Sequence, residues 1–207
     1  MGTLAPKADM ARIDELRAFR KRHGLGSVLG SALAHVRARW YLRGATAIGT
    51  VRLSGRALTK NAGRMRFGDR MRLDGTTVRL EFVCFEGAEL SIGAGTYINY
   101  GTNISARRSM KIGENCNIGQ YCIIMDADYH SLDDHSRPDT PEPVEIGNDV
   151  WLGARVIVLK GSKIGDGATI GANSVVRGTI PSGAIAAGNP ARVIRMRDAA
   201  HDRGAHA

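Results

Sequence analysis

The sequence predicts an all-β solenoid, in which short parallel strands wind around one axis after a short helical segment. The first observation is a period of six in the apolar residues Ile146, Leu152, Val158, Ile164, Ile170 and Val176. The second is that a glycine directly follows four of these six residues. A helix would space its apolar residues by three and four, whereas a strict six suits a short strand, a turn and a restart. One such unit buries too little by itself, so we expect the units to stack into a parallel β-helix.

The composition agrees with one elongated domain that carries short appendages. The chain has 207 residues, of which 43% are hydrophobic and only 5% aromatic, which fits a narrow core of aliphatic side chains. We divide it into an N-terminal helical segment (1–43), a β-helix domain (44–197) and a flexible tail (198–207).

The formal net charge of +9 favours anionic partners such as phosphates or acidic lipid, although a solvated basic surface would give the same value. The repeats contain no basic cluster interleaved with aromatic residues, so we expect no nucleic-acid partner. No apolar run reaches the roughly 18 residues of a membrane span, and no signal peptide is recognisable, which makes the cytoplasm the expected compartment.

The three cysteines carry no metal-binding or disulfide pattern. Cys84, Cys116 and Cys122 contain no CxxC spacing. Cys116 and Cys122 lie six apart, in step with the repeat, so we expect them to pack as small apolar residues in the wall of the solenoid.

Two amphipathic helices are predicted before the solenoid, over residues 9–19 and 27–42. In the first, apolar residues recur every three positions with charged residues between them. The two helices can cap the open end of the β-helix, or they can lie on a membrane surface through their basic residues.

The repeat is irregular at first and regular later. Between residues 44 and 83 the intervals drift, which predicts imperfect coils with longer turns. From Ile92 the period of six holds, apart from two extra residues in the segment 105–111, until the repeat stops at residues 126–143. That insertion carries three prolines, six acidic residues and two histidines. A long loop on a rigid scaffold predicts a functional site.

The C-terminal half resembles a known enzyme family. The segments 151–154 (WLGA), 170–176 (IGANSVV) and 187–195 (AGNPARVIR) are similar to those of the hexapeptide-repeat acyltransferases. They are most similar to the maltose and galactoside O-acetyltransferases and to sugar acyltransferases of polysaccharide clusters. The resemblance implies a left-handed parallel β-helix and a homotrimer with active sites between its subunits.

The same resemblance implies the catalytic residues. His130 matches the catalytic histidine of the family, the general base that removes the proton of the acceptor. His135 is the competing candidate. Asp126 and Asp128 are the candidates for orienting the imidazole or contacting the acceptor, and Asn99 matches an asparagine that faces the acceptor hydroxyl.

Acetyl-CoA is the implied co-substrate, with no metal. The positions that match the pantetheine groove are Trp151, Gly153, Ala154, Gly171 and Ala172. Those that match or neighbour the contacts with the nucleotide phosphates are Arg177, Arg192 and Arg195. Trp151 could instead pack against a neighbouring chain. Where the family carries Thr-Lys-Asp before Ile-Pro, this chain has Arg-Gly-Thr, which could redistribute the phosphate contacts.

The expected function is therefore coenzyme A-dependent O-acylation, most simply acetylation, of a sugar, glycan precursor or small natural product. Arg107 and Arg108 stand where the family carries an acidic residue, which points to an acceptor that is anionic or differently held. The alternatives are N-acylation of an amino sugar and a non-catalytic trimeric scaffold. A metal-dependent carbonic anhydrase of the same fold would need three histidines around one metal, and this region offers only two.

Overall fold

The computed structural model describes residues 30–197, except 132, 133, 135 and 138. The helix predicted over 9–19, the tail 198–207 and the competing histidine His135 lie outside the described residues. Within the described residues, no helix is long and apolar enough to cross a membrane.

One helix, α1, covers residues 30–41 and lies against the N-terminal end of the solenoid. Its Ala38 and the following Leu42 are fully buried and belong to the hydrophobic core of the coils. This packing agrees with the capping interpretation, because α1 covers an end that would otherwise expose core side chains. The opposite side of α1 leaves Leu33, Val36 and Trp40 exposed.

The described residues form nineteen strands. They are β1 (Ala47–Ile48), β2 (Val51–Asn61), β3 (Arg64–Phe67), β4 (Met71–Cys84), β5 (Glu89–Ile92), β6 (Tyr97–Ile98), β7 (Asn103–Ala106), β8 (Ser109–Ile112), β9 (Asn117–Ile118), β10 (Ile123–Met125), β11 (Val144–Ile146), β12 (Trp151–Leu152), β13 (Ile157–Val158), β14 (Lys163–Ile164), β15 (Thr169–Ile170), β16 (Val175–Val176), β17 (Thr179–Ile180), β18 (Ala184–Gly188) and β19 (Ala191–Met196).

These strands make the three faces of a prism. Face A contains β1, β3, β5, β8, β11, β14 and β17. Face B contains β6, β9, β12, β15 and β18, and face C contains β7, β10, β13 and β16. The long strand β4 joins faces B and C, because its first part pairs with β6 and its last part with β7. All pairs are parallel except β18 with β19, so the fold is a parallel β-helix, as predicted.

The core is built from columns of equivalent residues. On face B, Leu73, Ile98, Ile118, Leu152 and Ile170 are partners in successive strands, and all are buried. Each such side chain contributes about 1.5–3 kcal/mol when it is removed from water. The period of six is therefore the interval at which the chain returns an apolar residue to the axis.

The cysteines pack inside this core, as the sequence predicts. Cys116 and Cys122 are fully buried, and burial raises the pKa of both thiols to about 11. Both therefore stay protonated near neutral pH and are poor nucleophiles.

The first two coils lack the period of six because the chain runs through the corner between faces B and C without a tight turn. Gly55 and Gly75 are partners at this corner, and a Cβ atom on Gly55 would lie 2.1 Å from the carbonyl of Gly75. Only glycine allows this close stacking of two backbones. The strands β2 and β4 therefore continue across two faces, which explains the drifting intervals in the sequence.

The outer surfaces of the faces differ in chemistry. Face A presents charged side chains, with ion pairs between Arg64 and Glu89 and between Lys163 and Glu145. Face C presents partly exposed apolar side chains in its later coils, namely Ile123, Met125, Ile157 and Val175. Face A is therefore suited to water, and face C to a further protein surface.

We predict that Gly93→Ala destabilises the fold, because the new Cβ would lie 2.5 Å from the carbonyl carbon of Gly113 in the next coil. Overpacking of this kind costs about 1–3 kcal/mol. Thermal unfolding followed by circular dichroism should show a decrease in Tm of at least about 2 °C. Gly30→Ala in α1 is the matched control, because its Cβ would meet no atom within 4 Å. Equal melting temperatures for the two variants would contradict the stacking argument.

Candidate active site

A groove on face B contains residues predicted to contact the acceptor together with residues predicted to contact the pantetheine arm. It is a cavity of about 680 Å³. Its lining includes Asn99, predicted for the acceptor, and Trp151, Gly153 and Ala154, predicted for the pantetheine arm. The indole of Trp151 is 57% exposed and stands in register between Asn117 and Thr169. In the single chain it is therefore available for contact with a ligand or with another subunit.

Small residues shape the edge of this groove at the corner between faces B and C. A Cβ on Gly153 would lie 2.7 Å from the backbone nitrogen of Ala172 in the next coil. A Cβ on Gly171 would lie 2.9 Å from the Cβ of Ala187 in the following coil. The coils therefore meet here through backbone and small side chains, which leaves a shallow surface that a thin flexible chain can follow. Gly171 and Ala172 lie on the same corner, one coil after Gly153 and Ala154 and directly after β15, whose Thr169 lines the groove.

Asn99 is held in place at the other end of the groove. Its Oδ1 accepts a hydrogen bond from the backbone N–H of Tyr100 at 2.8 Å, and its Nδ2 lies 3.5 Å from Oε1 of Gln120. Its amide is partly exposed to the groove. This side chain can therefore present hydrogen-bonding atoms to a ligand without rearranging.

The insertion between β10 and β11, residues 126–143, begins with a buried carboxylate. Asp126 is fully buried, and its two oxygens accept hydrogen bonds from the backbone N–H groups of Arg107, Arg108 and Ser109 at 2.7–2.8 Å. Asp126 therefore ties the start of the loop to the turn between β7 and β8. Its predicted contact with the imidazole or the acceptor stays a prediction.

Lys160 forms ion pairs with two carboxylates of the loop, one near each end. The Nζ of Lys160 lies 2.9 Å from a carboxylate oxygen of Asp128 and also donates to Asp139. The other oxygen of Asp139 accepts from the backbone N–H of Asp128 at 2.7 Å. The hydrogen bond from Lys160 lowers the pKa of Asp139, and the same bond raises the pKa of Lys160. This clamp of three residues joins the two ends of the loop to the next coil.

Arg107 and Arg108 also contact the loop. The guanidinium of Arg107 lies 5.2 Å from the ring centroid of Phe85 and 5.6 Å from that of Tyr129, while Arg108 donates to the carbonyl of Pro141 at 3.4 Å. The hydroxyl of Tyr129 donates to Ser105 at 2.9 Å. In the single chain both arginines therefore support the loop, and a contact with an anionic acceptor stays a prediction.

His130 follows Tyr129 in this loop and is exposed. It lies at the corner between faces C and A, because the loop joins β10 to β11. Asn99 lies at the corner between faces B and C, directly after β6. Within one chain, the strands of face C therefore lie between the points at which the loop and the Asn99 turn leave the solenoid.

The predicted phosphate-binding arginines are distributed over two places. Arg192 and Arg195 lie on β19, where Arg195 is the partner of Ile185 in the groove. Arg177 lies after β16 at the corner between faces C and A, so one chain does not bring it to the same groove. The sequence did not single out Arg197, which lines the groove and donates to the carbonyl of Gly167 at 3.1 Å. The contact of Lys160 with the loop was also missed, because a lysine in a repeat turn belongs to no recognisable motif.

Comparison with known proteins places the fold in a family. Residues 143–178 match the model for bacterial transferase hexapeptide, six repeats. The chain is 34% identical over 147 residues to the "Putative lipopolysaccharide biosynthesis O-acetyl transferase WbbJ" of Escherichia coli K12, covering 66% of this chain and 74% of that protein. It is 35% identical over 112 residues to galactoside O-acetyltransferase of the same strain, covering 53% and 55%.

The solved structures show the same fold. A mutant of AntD, an N-acyltransferase from Bacillus cereus in complex with dTDP and coenzyme A, superposes with a TM-score of 0.64 at 21% identity, covering 79% of this chain and 90% of that one. The chain spans only 33% of the length of a matching relative from Mycobacterium tuberculosis. The repeats, the fold and the identity to the lipopolysaccharide relative show that the chain belongs to the hexapeptide-repeat acyltransferases, whose repeats form a left-handed parallel β-helix.

Proposed function

We propose that the protein is a coenzyme A-dependent O-acyltransferase that moves an acetyl group to a hydroxyl of a sugar or glycan precursor. The observation that carries this proposal is the groove on face B, in which Asn99 and the small-residue corner at Gly153 and Ala154 share one cavity of about 680 Å³. The two relatives named as O-acetyltransferases support oxygen as the acceptor atom. The coenzyme A complex of AntD supports acyl-CoA as the donor.

His130 acts as the general base in this proposal. A neutral hydroxyl is a poor nucleophile, so the imidazole removes its proton as the oxygen attacks the thioester carbonyl. The tetrahedral intermediate then collapses, the C–S bond breaks, and the imidazolium returns the proton to the thiolate of coenzyme A. Asn99 donates a hydrogen bond to the acceptor oxygen. Since Cys116 and Cys122 are buried and protonated, direct transfer is favoured over a covalent acyl-enzyme.

The donor lies along the corner between faces B and C. The pantetheine arm follows the backbone at Gly153, Ala154, Gly171 and Ala172, and the indole of Trp151 covers it. Arg192 and Arg195 on β19 bind the nucleotide phosphates, because a guanidinium offers several donors in one plane.

The assembly we propose is a homotrimer with its sites between subunits. The strands of face C lie between the corner where the loop leaves and the corner that holds Asn99, which supports a site built from His130 of one subunit and Asn99 of the next. The partly exposed apolar side chains on face C, such as Ile123 and Ile157, supply a surface for that contact. Arg177 and His130 lie on the same corner and would approach the neighbouring groove together. Acyl-CoA supply is consistent with a cytoplasmic location.

N-acylation is the second candidate function. AntD, whose fold this chain shares, is named an N-acyltransferase, and an amino group can replace a hydroxyl over the same base and donor groove. Screening thiol release from acetyl-CoA with matched hydroxyl and amino sugars distinguishes the two functions. If neither kind of acceptor causes thiol release, both functions are contradicted and the scaffold alternative is favoured.

We predict that His130→Ala and Asn99→Ala each remove most acetyl transfer, while coexpressed mixtures of the two recover part of it. The loss should be about 10²-fold or more for the base, since positioned bases contribute roughly 10²–10⁴-fold. In a mixed trimer some sites combine an intact His130 with an intact Asn99, so activity returns.

The controls for this experiment are each variant alone and a mixture made after assembly, which should stay inactive. Sedimentation should show a trimer for all samples. A monomer in sedimentation, or full activity in His130→Ala alone, would contradict the proposed site.

We predict that Arg192→Glu combined with Arg195→Glu raises the KM for acetyl-CoA at least tenfold and leaves the KM for the acceptor nearly unchanged. The reversed charges repel the nucleotide phosphates and do not touch the acceptor end of the groove. Arg66→Glu on the charged face A is the matched control. Equal changes in both KM values would argue against a role in phosphate binding.

We predict that Lys160→Met lowers kcat roughly tenfold with little change in the KM for acetyl-CoA. Removing the Nζ leaves the carboxylates of Asp128 and Asp139 facing each other, so the loop that carries His130 opens. The pKa of Asp139 is lowered and that of Lys160 is raised, so the clamp in the native protein should hold from about pH 4 to about pH 10. It is lost as the pH falls through the lowered pKa of Asp139 or rises through the raised pKa of Lys160.

Limited proteolysis at pH 7 should cut residues 126–143 faster in Lys160→Met than in the native protein, and Lys160→Arg should restore protection. Lys163→Met is the matched control, because its Nζ lies on exposed face A at 3.4 Å from Glu145. A normal kcat together with fast proteolysis would show that the clamp does not position the base.

A further inference from the structure

A column of outward side chains continues the groove toward the N-terminal end of face B. Arg52 in β2 is the partner of Arg72 in β4, and Arg72 is the partner of Tyr97 in β6. The guanidinium of Arg72 lies 5.3 Å from the ring centroid of Tyr97, which lines the groove. The groove that holds Asn99 and Trp151 therefore leads onto two stacked arginines.

This arginine pair is unfavourable by itself. Both side chains are exposed, and neither forms an ion pair with any of the described residues. Like charges directly opposite one another on neighbouring strands destabilise a sheet. The carboxylate of Asp74 lies nearby and adds to the rise that burial causes in the pKa of Tyr97, but one of its oxygens accepts two hydrogen bonds from Thr76.

We propose that Arg52 and Arg72 form a phosphate subsite of the acceptor, so that the preferred acceptor is a sugar already esterified to phosphate. This inference rests on the proposed acyltransferase function and narrows its substrate class. Two guanidinium groups one strand apart offer parallel donors to the oxygens of a phosphate or diphosphate. A bound phosphate would also remove the repulsion between the two arginines.

The spacing of the coils fits a glycosyl phosphate. Neighbouring strands lie about 4.8 Å apart, so Arg72 is one strand from the level of Tyr97 and Asn99, and Arg52 is two. A sugar ring of about that size can place its hydroxyl at Asn99 and its phosphate at the arginine pair. Tyr97 is the partner of Arg72, lines the groove and lies two residues before Asn99, so its ring is available to pack against the sugar.

Arg107 and Arg108, the other arginines considered for an anionic acceptor, contact the loop 126–143. Arg107 lies over two aromatic rings of the loop region, and Arg108 donates to the carbonyl of Pro141. The arginines of β19 lie toward the opposite end of the groove, beyond Trp151. Arg52 and Arg72 are therefore suited to a charge on the acceptor rather than on coenzyme A.

The test is calorimetric titration of the full-length protein with a hexose 1-phosphate, a UDP-hexose, a methyl hexoside and inorganic pyrophosphate. We expect the two phosphate esters to bind more tightly than the methyl hexoside, with affinity that falls as sodium chloride rises. Arg52→Gln and Arg72→Gln should each weaken ester binding at least tenfold, and Arg72→Lys should weaken it less. Arg66→Gln on face A is the matched control and should bind like the native protein.

Three results would overturn the subsite. They are no binding of either ester, unchanged binding in both glutamine variants, and pyrophosphate binding as tight as that of the esters, which would indicate an ion site without a sugar. Titration with coenzyme A separates this inference from the function on which it rests. If the subsite fails but Arg72→Gln still binds coenzyme A, the acyltransferase proposal stands. If the native protein does not bind coenzyme A, the acyltransferase proposal itself is contradicted.

Discussion

The in-register stacking of the coils is the constraint on which the rest of the structure depends. Each strand bonds to the equivalent strand of the next coil, so residues at equivalent positions form columns about 4.8 Å apart. Inside the prism, the columns must be apolar and of matched size, as in the run from Leu73 to Ile170. Outside it, the same stacking places equivalent side chains of successive coils side by side on each face. A charged column, an apolar column and a groove can therefore coexist on one narrow rod.

The sequence predicts those parts of the fold that the constraint repeats. Six repeated apolar positions from Ile146 to Val176 are enough to indicate strands, turns and an axis, and Cys116 and Cys122 fall into place by their spacing alone. The insertion at 126–143 is equally visible, because an interruption stands out against a strict period. Its bounds agree with the end of β10 at Met125 and the start of β11 at Val144. The corner positions Gly153 and Ala154 were predicted through resemblance, and both line the groove.

What the sequence could not predict are contacts between turns that lie far apart along the chain. The oxygens of Asp126 accept hydrogen bonds from backbone N–H groups almost twenty residues earlier, at Arg107 to Ser109, and the sequence does not indicate this contact. Lys160 closes the loop from the following coil, and no local motif marks it. The pairing of Arg52 with Arg72 could not be predicted from the sequence for a different reason. Strands β2 and β4 cross a corner at Gly55 and Gly75 without a turn, so the period that would reveal their register is absent.

The proposed catalytic base and the groove belong to different corners of the prism. The loop that carries His130 leaves the solenoid after β10 at the corner between faces C and A, whereas Asn99 follows β6 at the corner between faces B and C. A rigid prism cannot fold face C away, since its core is packed and every coil is bonded to the next. In the proposed trimer, His130 therefore serves the groove of a neighbouring chain, and the apolar side chains of face C bring that neighbour close. The partly exposed side chains of Ile123 and Ile157 would then affect catalysis as well as assembly, because they would set the distance between base and acceptor.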